Sequence, residues 1–259
     1  MHPFYFGDSA NSLYGVSHPP LGQQFQESAI LICNPLGHEY IRSHRALNQL
    51  AARLQHKGFF VLRFDYQGTG DSAGSFSDTT LTTLTTDIAT AAEELKSLSG
   101  AQFVSAIGLR LGAMLAMLAH EQCRFRQLYL WDPVVSGKTF VEKLKSLREG
   151  FISSRYFFYQ ERNLADVDTD EYIGYSYSPL LLTELSEIQL QKTVEGIPPH
   201  TQICCTQDDD TLGQFLKARN IQSTICKLDD MGGWDNILML ETTLVPTKVL
   251  AWFEQVVDQ

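Results

Sequence analysis

The chain has 259 residues, 44% of them hydrophobic and 19% charged, and carries a formal net charge of −10 from 20 Lys+Arg against 30 Asp+Glu. That composition supports a large folded core, and an acidic surface without a basic cluster argues against nucleic acid as a partner. The N-terminus lacks a basic segment leading into an apolar one, and no apolar run approaches the roughly 20 residues that span a bilayer, so the expectation is a cytoplasmic protein without a membrane span.

In chain order, FYF and SLYGVSH flank the turn-rich GDSAN and read as an N-terminal β-hairpin. AILICNP follows as a buried strand. IRSHRALNQLAARLQHKG has apolar residues at helical spacing, with Gly58 as its stop signal. FFVLRFDY is the next strand, the loop QGTGDSAGSFSD follows, and LTTLTTDIATAAEELKSLSG reads as a helix ending at Gly100. Strand FVSAI, helix GAMLAMLAH and strand RQLYLWDP continue the alternation, which predicts an α/β fold with a mostly parallel sheet flanked by helices.

From Val134 to Ile197 the alternation stops. This stretch holds an amphipathic helix (TFVEKLKSLREG), the aromatic runs RYFFY and YIGYSY, and a second helix (PLLLTELSEIQLQKTV), and it reads as a helical cap, residues 134–197, inserted into one domain spanning 1–259. The alternation resumes with strand TQICCTQ, the acidic turn DDDT, helix LGQFLKARN, strand STICKLDD, the loop MGGWDN and a last helix around VPTKVLAWFEQVV. The cysteines are Cys33, Cys123, Cys204, Cys205 and Cys226; with no CxxC and no Cys/His cluster at zinc spacing, they predict neither a disulfide framework nor a metal site. No motif calls for a cofactor.

Two short patterns compete as a reactive centre. Gly70-Asp71-Ser72-Ala73-Gly74 fits G-x-S-x-G, but Ser72 lies beyond its strand and Gly74 runs into the polar SFSD, so Ser72 reads as a turn residue. Gly68-Thr69-Gly70 likewise lacks the helix a dinucleotide loop needs. Gly108-Leu109-Arg110-Leu111-Gly112 has a strand directly before it and a helix directly after it, with Arg110 at its centre.

The element order over nearly the whole chain resembles the α/β-hydrolase fold. NPLGHEYIRSHR stands where that family has its oxyanion loop, VLRFDYQGTGDSAG resembles the serine-aminopeptidase and monoglyceride-lipase branch, and AIGLRLGA resembles the nucleophile elbow. In detail the chain is most similar to bacterial exosortase-A-associated hydrolase-like proteins. The resemblance implies oxyanion-type backbone N–H groups at Leu36 and Leu111, a nucleophile position at Arg110, an acid position at Asp210 with Asp132 as the alternative, and a histidine position at Trp234.

Arginine stays protonated near neutral pH and offers only donors, so Arg110 cannot form an acyl-enzyme. The last of the seven histidines, His200, precedes the acid position, so the usual base is missing too. His38 and Glu39, expected in a loop at the site, are the substitute bases, and Cys33 is the nearest thiol. His44 is expected to face outward or cap its helix. For Arg110 there are two readings: a bidentate site for an anionic ligand, or an internal ion pair with Asp210 or Asp132. The cap aromatics (Tyr156, Phe157, Phe158, Tyr159, Tyr172, Tyr175, Tyr177) either line an apolar pocket or pack the cap onto the core. The expected function is a hydrolase-fold homologue that binds a small ligand or a protein partner. The alternative is an esterase or thioesterase using His38 and a water positioned by Arg110.

Overall fold

A computed structural model describes residues 1–21, 25–156, 171–188, 197–198, 201–206, 212, 224–230, 233–234 and 246–257. Eight strands form one sheet: β1 (His2–Phe6), β2 (Leu13–His18), β3 (Ser28–Cys33), β4 (Val61–Phe64), β5 (Phe103–Leu109), β6 (Leu128–Trp131), and, after a small hairpin of β7 (Glu171–Tyr172) and β8 (Tyr175–Ser176), β9 (Gln202–Cys205) and β10 (Thr224–Lys227). Their order in the sheet is β1-β2-β4-β3-β5-β6-β9-β10. The N-terminal hairpin is antiparallel and β2 pairs antiparallel with β4, while the pairs from β4 through β3, β5, β6 and β9 to β10 are all parallel.

The parallel strands are buried on both faces, as helix-covered strands must be. Along β3, Ala29, Leu31 and Cys33 point into one core while Ile30 and Ile32 point into the other, the two-residue period of a pleated strand. The second core is closed by α1 (His38–His56) and α6 (Thr247–Val256), through Leu47, Leu50 and Leu54 against Val249, Leu250 and Phe253. The first core is closed by α2 (Leu81–Ser99) and α3 (Leu111–Cys123). A capping box between Thr80 and Thr83 starts α2, and Gly100 in the left-handed conformation ends it, as the sequence signals predict.

Helix α1 begins at His38, three residues before the sequence pattern suggests. Gly37 at φ +62° turns the chain sharply, and Glu39 in the first turn complements the helix dipole. His38 and Glu39 are therefore helical, not loop residues.

Between β6 and β9 the chain forms α4 (Gly137–Tyr156), the β7–β8 hairpin and α5 (Pro179–Glu187). The sequence suggests only helices here. Ile173 and Gly174 both take positive φ, 51° and 81°, which is the tight turn that joins two antiparallel strands, and Tyr172 pairs with Tyr175 across it. Phe140, Leu144, Tyr172, Tyr177, Leu181 and Leu185 from this stretch join the first core directly. The RYFFY run beyond Tyr156, the acidic turn with Asp210, the LGQFLKARN helix and His200 lie outside the described residues, apart from Leu212.

Candidate functional site

The strand-turn-helix at Arg110 forms as its residues predict. Strand β5 ends at Leu109, α3 starts at Leu111, and Arg110 between them has φ 54° and ψ −120°. A non-glycine residue rarely adopts that backbone, and it persists only where its surroundings hold it. Here the Arg110 amide donates to the Trp131 carbonyl at 2.9 Å, and the Arg110 carbonyl accepts from Ala113 at 3.1 Å and Val134 at 3.3 Å. The flanking glycines permit close approach: a Cβ at Gly108 would run into the backbone of Ala113, and one at Gly112 into the carbonyls of Cys33 and Asn34. Helix α3 is thereby pressed against the end of β3.

The Arg110 side chain turns inward. Its Nε donates to Glu39 Oε1 at 2.9 Å, its Nη1 to the backbone carbonyl of Asp132 at 3.3 Å, and its guanidinium carbon lies 5.7 Å from the centre of the Trp234 ring. Both charges are taken from water, the side chains retaining 10% and 2% of their exposure. Among the described residues the ion pair of Arg110 is with Glu39 and not with Asp132, while Asp210 lies outside the described residues.

Asp132 is not that partner because its carboxylate is already committed. Oδ1 accepts the Thr206 amide at 2.6 Å, and Oδ2 accepts the Thr206 hydroxyl at 2.5 Å and the Trp234 indole N–H at 2.8 Å. Its backbone, at φ 42°, is tied to β9 by Asp132 N donating to Cys204 O at 2.8 Å. Trp234 is fully buried, stands edge-on to Trp131 at 6.1 Å, and has the Arg42 guanidinium 5.6 Å from its ring centre. Arg42, also buried, donates from Nη1 to the Gly233 carbonyl. Two guanidinium groups thus flank one indole within cation–π range.

The other sequence candidates fall into place around this centre. Leu36, in the loop between β3 and α1, and Leu111, the first residue of α3, are both buried. His38 is buried in the first turn of α1. Cys33 has no exposure, and burial pushes its thiol well up, the reverse of what a nucleophile needs. His44 faces solvent, its ring 5.7 Å from Tyr40. Ser72 is a turn residue: its hydroxyl donates to Asp65 O at 2.6 Å and accepts from Tyr14 N at 2.8 Å.

Of the cap aromatics, Tyr172 and Tyr177 are buried and Tyr175 half-buried. Phe76 stands edge-on to Tyr177 at 4.9 Å and to Tyr175 at 5.6 Å, so these rings pack the stretch onto the core. The Tyr177 hydroxyl faces Gly37 so closely that a Cβ there would collide with it. Burial, and then the Glu39 charge, push that hydroxyl well above the usual phenol range. Glu39 as the arginine's partner, Arg42 and the Tyr177 hydroxyl are the members of this cluster that sequence reasoning missed. Their signal is the three-residue spacing of Glu39 and Arg42, which shares a helix face only if α1 starts at His38.

A groove of about 550 Å³ along α2, lined by Thr86, Thr90, Glu93, Glu94 and, from the end of α3, Gln122 and Cys123, shares no residue with this cluster. Among the described residues, no group of three or more His, Cys, Asp or Glu side chains is placed to hold a metal ion, and no helix is long and apolar enough to cross a membrane.

No protein-family model matches the chain, and no curated protein matches it by sequence. Solved structures do match. Est1E from Butyrivibrio proteoclasticus shares 16% identity over 99% of this chain and 98% of its own, with a TM-score of 0.69. An α/β serine hydrolase without a lid from Xanthomonas campestris shares 15% over 88% and 83%, with a TM-score of 0.58. The N-formylmaleamic acid deformylase of Pseudomonas putida shares 17% over 91% and 97%, with a TM-score of 0.57. At these identities it is the fold that is shared. With its strand order, its antiparallel N-terminal hairpin and its strand-turn-helix at Arg110, the chain is an α/β-hydrolase-fold protein.

Proposed function

We propose that this protein is a hydrolase-fold homologue without serine–histidine acyl transfer, and that its former reactive centre recognises a small anionic ligand. The observation that carries the reading is the buried Arg110–Glu39 pair: at the elbow, where a hydrolase needs a group that can lose a proton, stands a cation already holding a carboxylate at 2.9 Å. Arginine supplies no nucleophile, while the two buried guanidinium groups of Arg110 and Arg42, together with the first amides of α3, give the centre a positive character that suits an anion. Trp234 takes the histidine's place and gives Asp132 a donor N–H, but an indole nitrogen cannot accept a proton as a base. The esterase alternative needs Arg110 to position water, and its Nε is spent on Glu39.

In this reading residues 134–197 act as a cap, with Tyr177 closing over Gly37, and the motifs at Asn34–Arg45 and Val61–Gly74 support a likeness to the serine-aminopeptidase and monoglyceride-lipase branch. The five free cysteines support a reducing, cytoplasmic setting. The test is labelling with a fluorophosphonate probe, which modifies activated serines. The native protein is expected to stay unlabelled beside an active esterase control, and a fluorophosphonate adduct located by mass spectrometry would overturn the reading.

A further inference from the structure

Around Glu39 the protein has buried hydrogen-bonding groups that its own described atoms do not use. Arg42 spends Nη1 on the Gly233 carbonyl, yet its Nε and Nη2 have no hydrogen-bond partner, although the residue is only 2% exposed. Those two nitrogens form one edge of the guanidinium, the edge whose parallel N–H groups match the two oxygens of a carboxylate. Glu39 lies one helical turn earlier on α1; its Oε1 takes Arg110, and its Oε2 has no partner. The Tyr177 hydroxyl, 1% exposed and facing Gly37, has none either. A buried polar atom left unmatched is costly, and more so when charged, so four of them in one cluster need a compensating role.

From this placement, and resting on the proposed function above, we propose that Arg42, Glu39 and Tyr177 form a binding site for a small carboxylate that also carries a hydroxyl or ammonium donor. The ligand carboxylate pairs with the Arg42 Nε/Nη2 edge. Its donor is accepted by Glu39 Oε2, and the Tyr177 hydroxyl, able to donate or accept, meets the remaining polar atom. Arg110 keeps its role as the cation that holds Glu39 in place and is not displaced. The combination selects against simple fatty acids, which would leave Glu39 Oε2 buried and unmatched, and against phosphate dianions, which would bring a second negative charge toward that carboxylate.

The test uses the full-length protein with lactate, glycerate, alanine, propionate and inorganic phosphate as probes, in low-chloride buffer. Binding is read by calorimetry and by the ¹H–¹⁵N resonance of the Arg42 side-chain Nε, assigned by its loss in Arg42→Lys. Lactate, glycerate or alanine should saturate and shift that resonance, with propionate and phosphate weaker by roughly tenfold or more, which is the loss of one charge-assisted hydrogen bond. Arg42→Lys keeps the charge and loses the fork, and should weaken binding by a similar factor while retaining the native circular dichroism and melting transition. Tyr177→Phe should weaken it less.

Absence of saturation by every donor-bearing carboxylate overturns the proposal, as does equal binding by Arg42→Lys or equal binding of propionate and lactate. These outcomes are separable from failure of the proposed function: fluorophosphonate labelling with intact lactate binding would leave this site standing and remove the non-catalytic reading. No labelling with no carboxylate binding would do the reverse.

Discussion

The Trp234 indole N–H donates to Asp132 Oδ2 at 2.8 Å, and an indole, unlike an imidazole, has no second nitrogen with which to carry a proton away. The side chains form a connected, buried frame: Asp132 holds Trp234, Trp234 lies against Arg110, and Arg110 holds Glu39.

That frame predicts a cost for removing the indole nitrogen alone. Trp234→Phe keeps an aromatic ring but leaves Asp132 Oδ2 with only the Thr206 hydroxyl, and should destabilise by about 1–3 kcal/mol in urea unfolding. Combined with Asp132→Ala, the two losses should be non-additive, because both remove the same bond. A change for Trp234→Phe below about 0.5 kcal/mol would show that the bond carries little.

The Arg110–Glu39 pair should behave as a buried ion pair whose halves are worth less than their separation costs. Glu39→Ala leaves a buried guanidinium uncompensated and should lose about 3–5 kcal/mol, while Glu39→Ala with Arg110→Met should recover most of it. Full recovery in the double variant with a large loss in the single one identifies the pair as a local unit. Equal losses in both would show that Arg110 is held by other contacts.

How much of this was legible in the residues varies with the physics. The sheet and its alternation follow from apolar runs bounded by glycines and from helical spacing, and β3, β5, α2 and α3 fall where those signals put them. The elbow was legible because its two glycines meet backbone on either side, which the G-x-x-x-G spacing between a strand and a helix encodes. The partner of Arg110 was not. It depends on where α1 begins, and that is decided by the positive φ of Gly37 and by α1 packing on the sheet, not by periodicity near Ile41. Asp132 was a reasonable partner on sequence spacing, and only the register of β6 against β9, which brings Thr206 to its carboxylate, removes it from consideration.

The same close approach at the elbow gives a packing prediction. At Gly112 an added Cβ would meet the carbonyls of Cys33 and Asn34, which are backbone and cannot swing aside. Gly112→Ala should therefore cost about 3 kcal/mol or abolish soluble expression, despite alanine's higher helix propensity. A neutral or stabilising result by thermal melting would mean that α3 shifts off β3 easily.

Two buried titratable groups give stability opposite pH dependences. Burial pushes Asp87 from 3.8 up to about 7, opposed by the amide it accepts from Gln67, so the folded state retains a proton that the unfolded chain releases. Its contribution is full below about pH 4 and is lost as pH rises through about 7. His18 is lowered from 6.5 to about 4 by burial and then by Arg63, so its contribution is present above pH 6.5 and is lost as pH falls through about 4. The gap in melting temperature between Asp87→Asn and the native protein should widen in favour of the variant from pH 4 to 7. A gap that stays constant across that range would show Asp87 titrating as an ordinary carboxylate.

The most direct test of the central claim is turnover of a panel of p-nitrophenyl acyl esters and acyl thioesters by the native protein, with Arg110→Ala prepared identically. The account predicts rates at the no-protein baseline for both. Turnover by the native protein that collapses in Arg110→Ala would contradict it and would make the arginine part of a working catalytic centre.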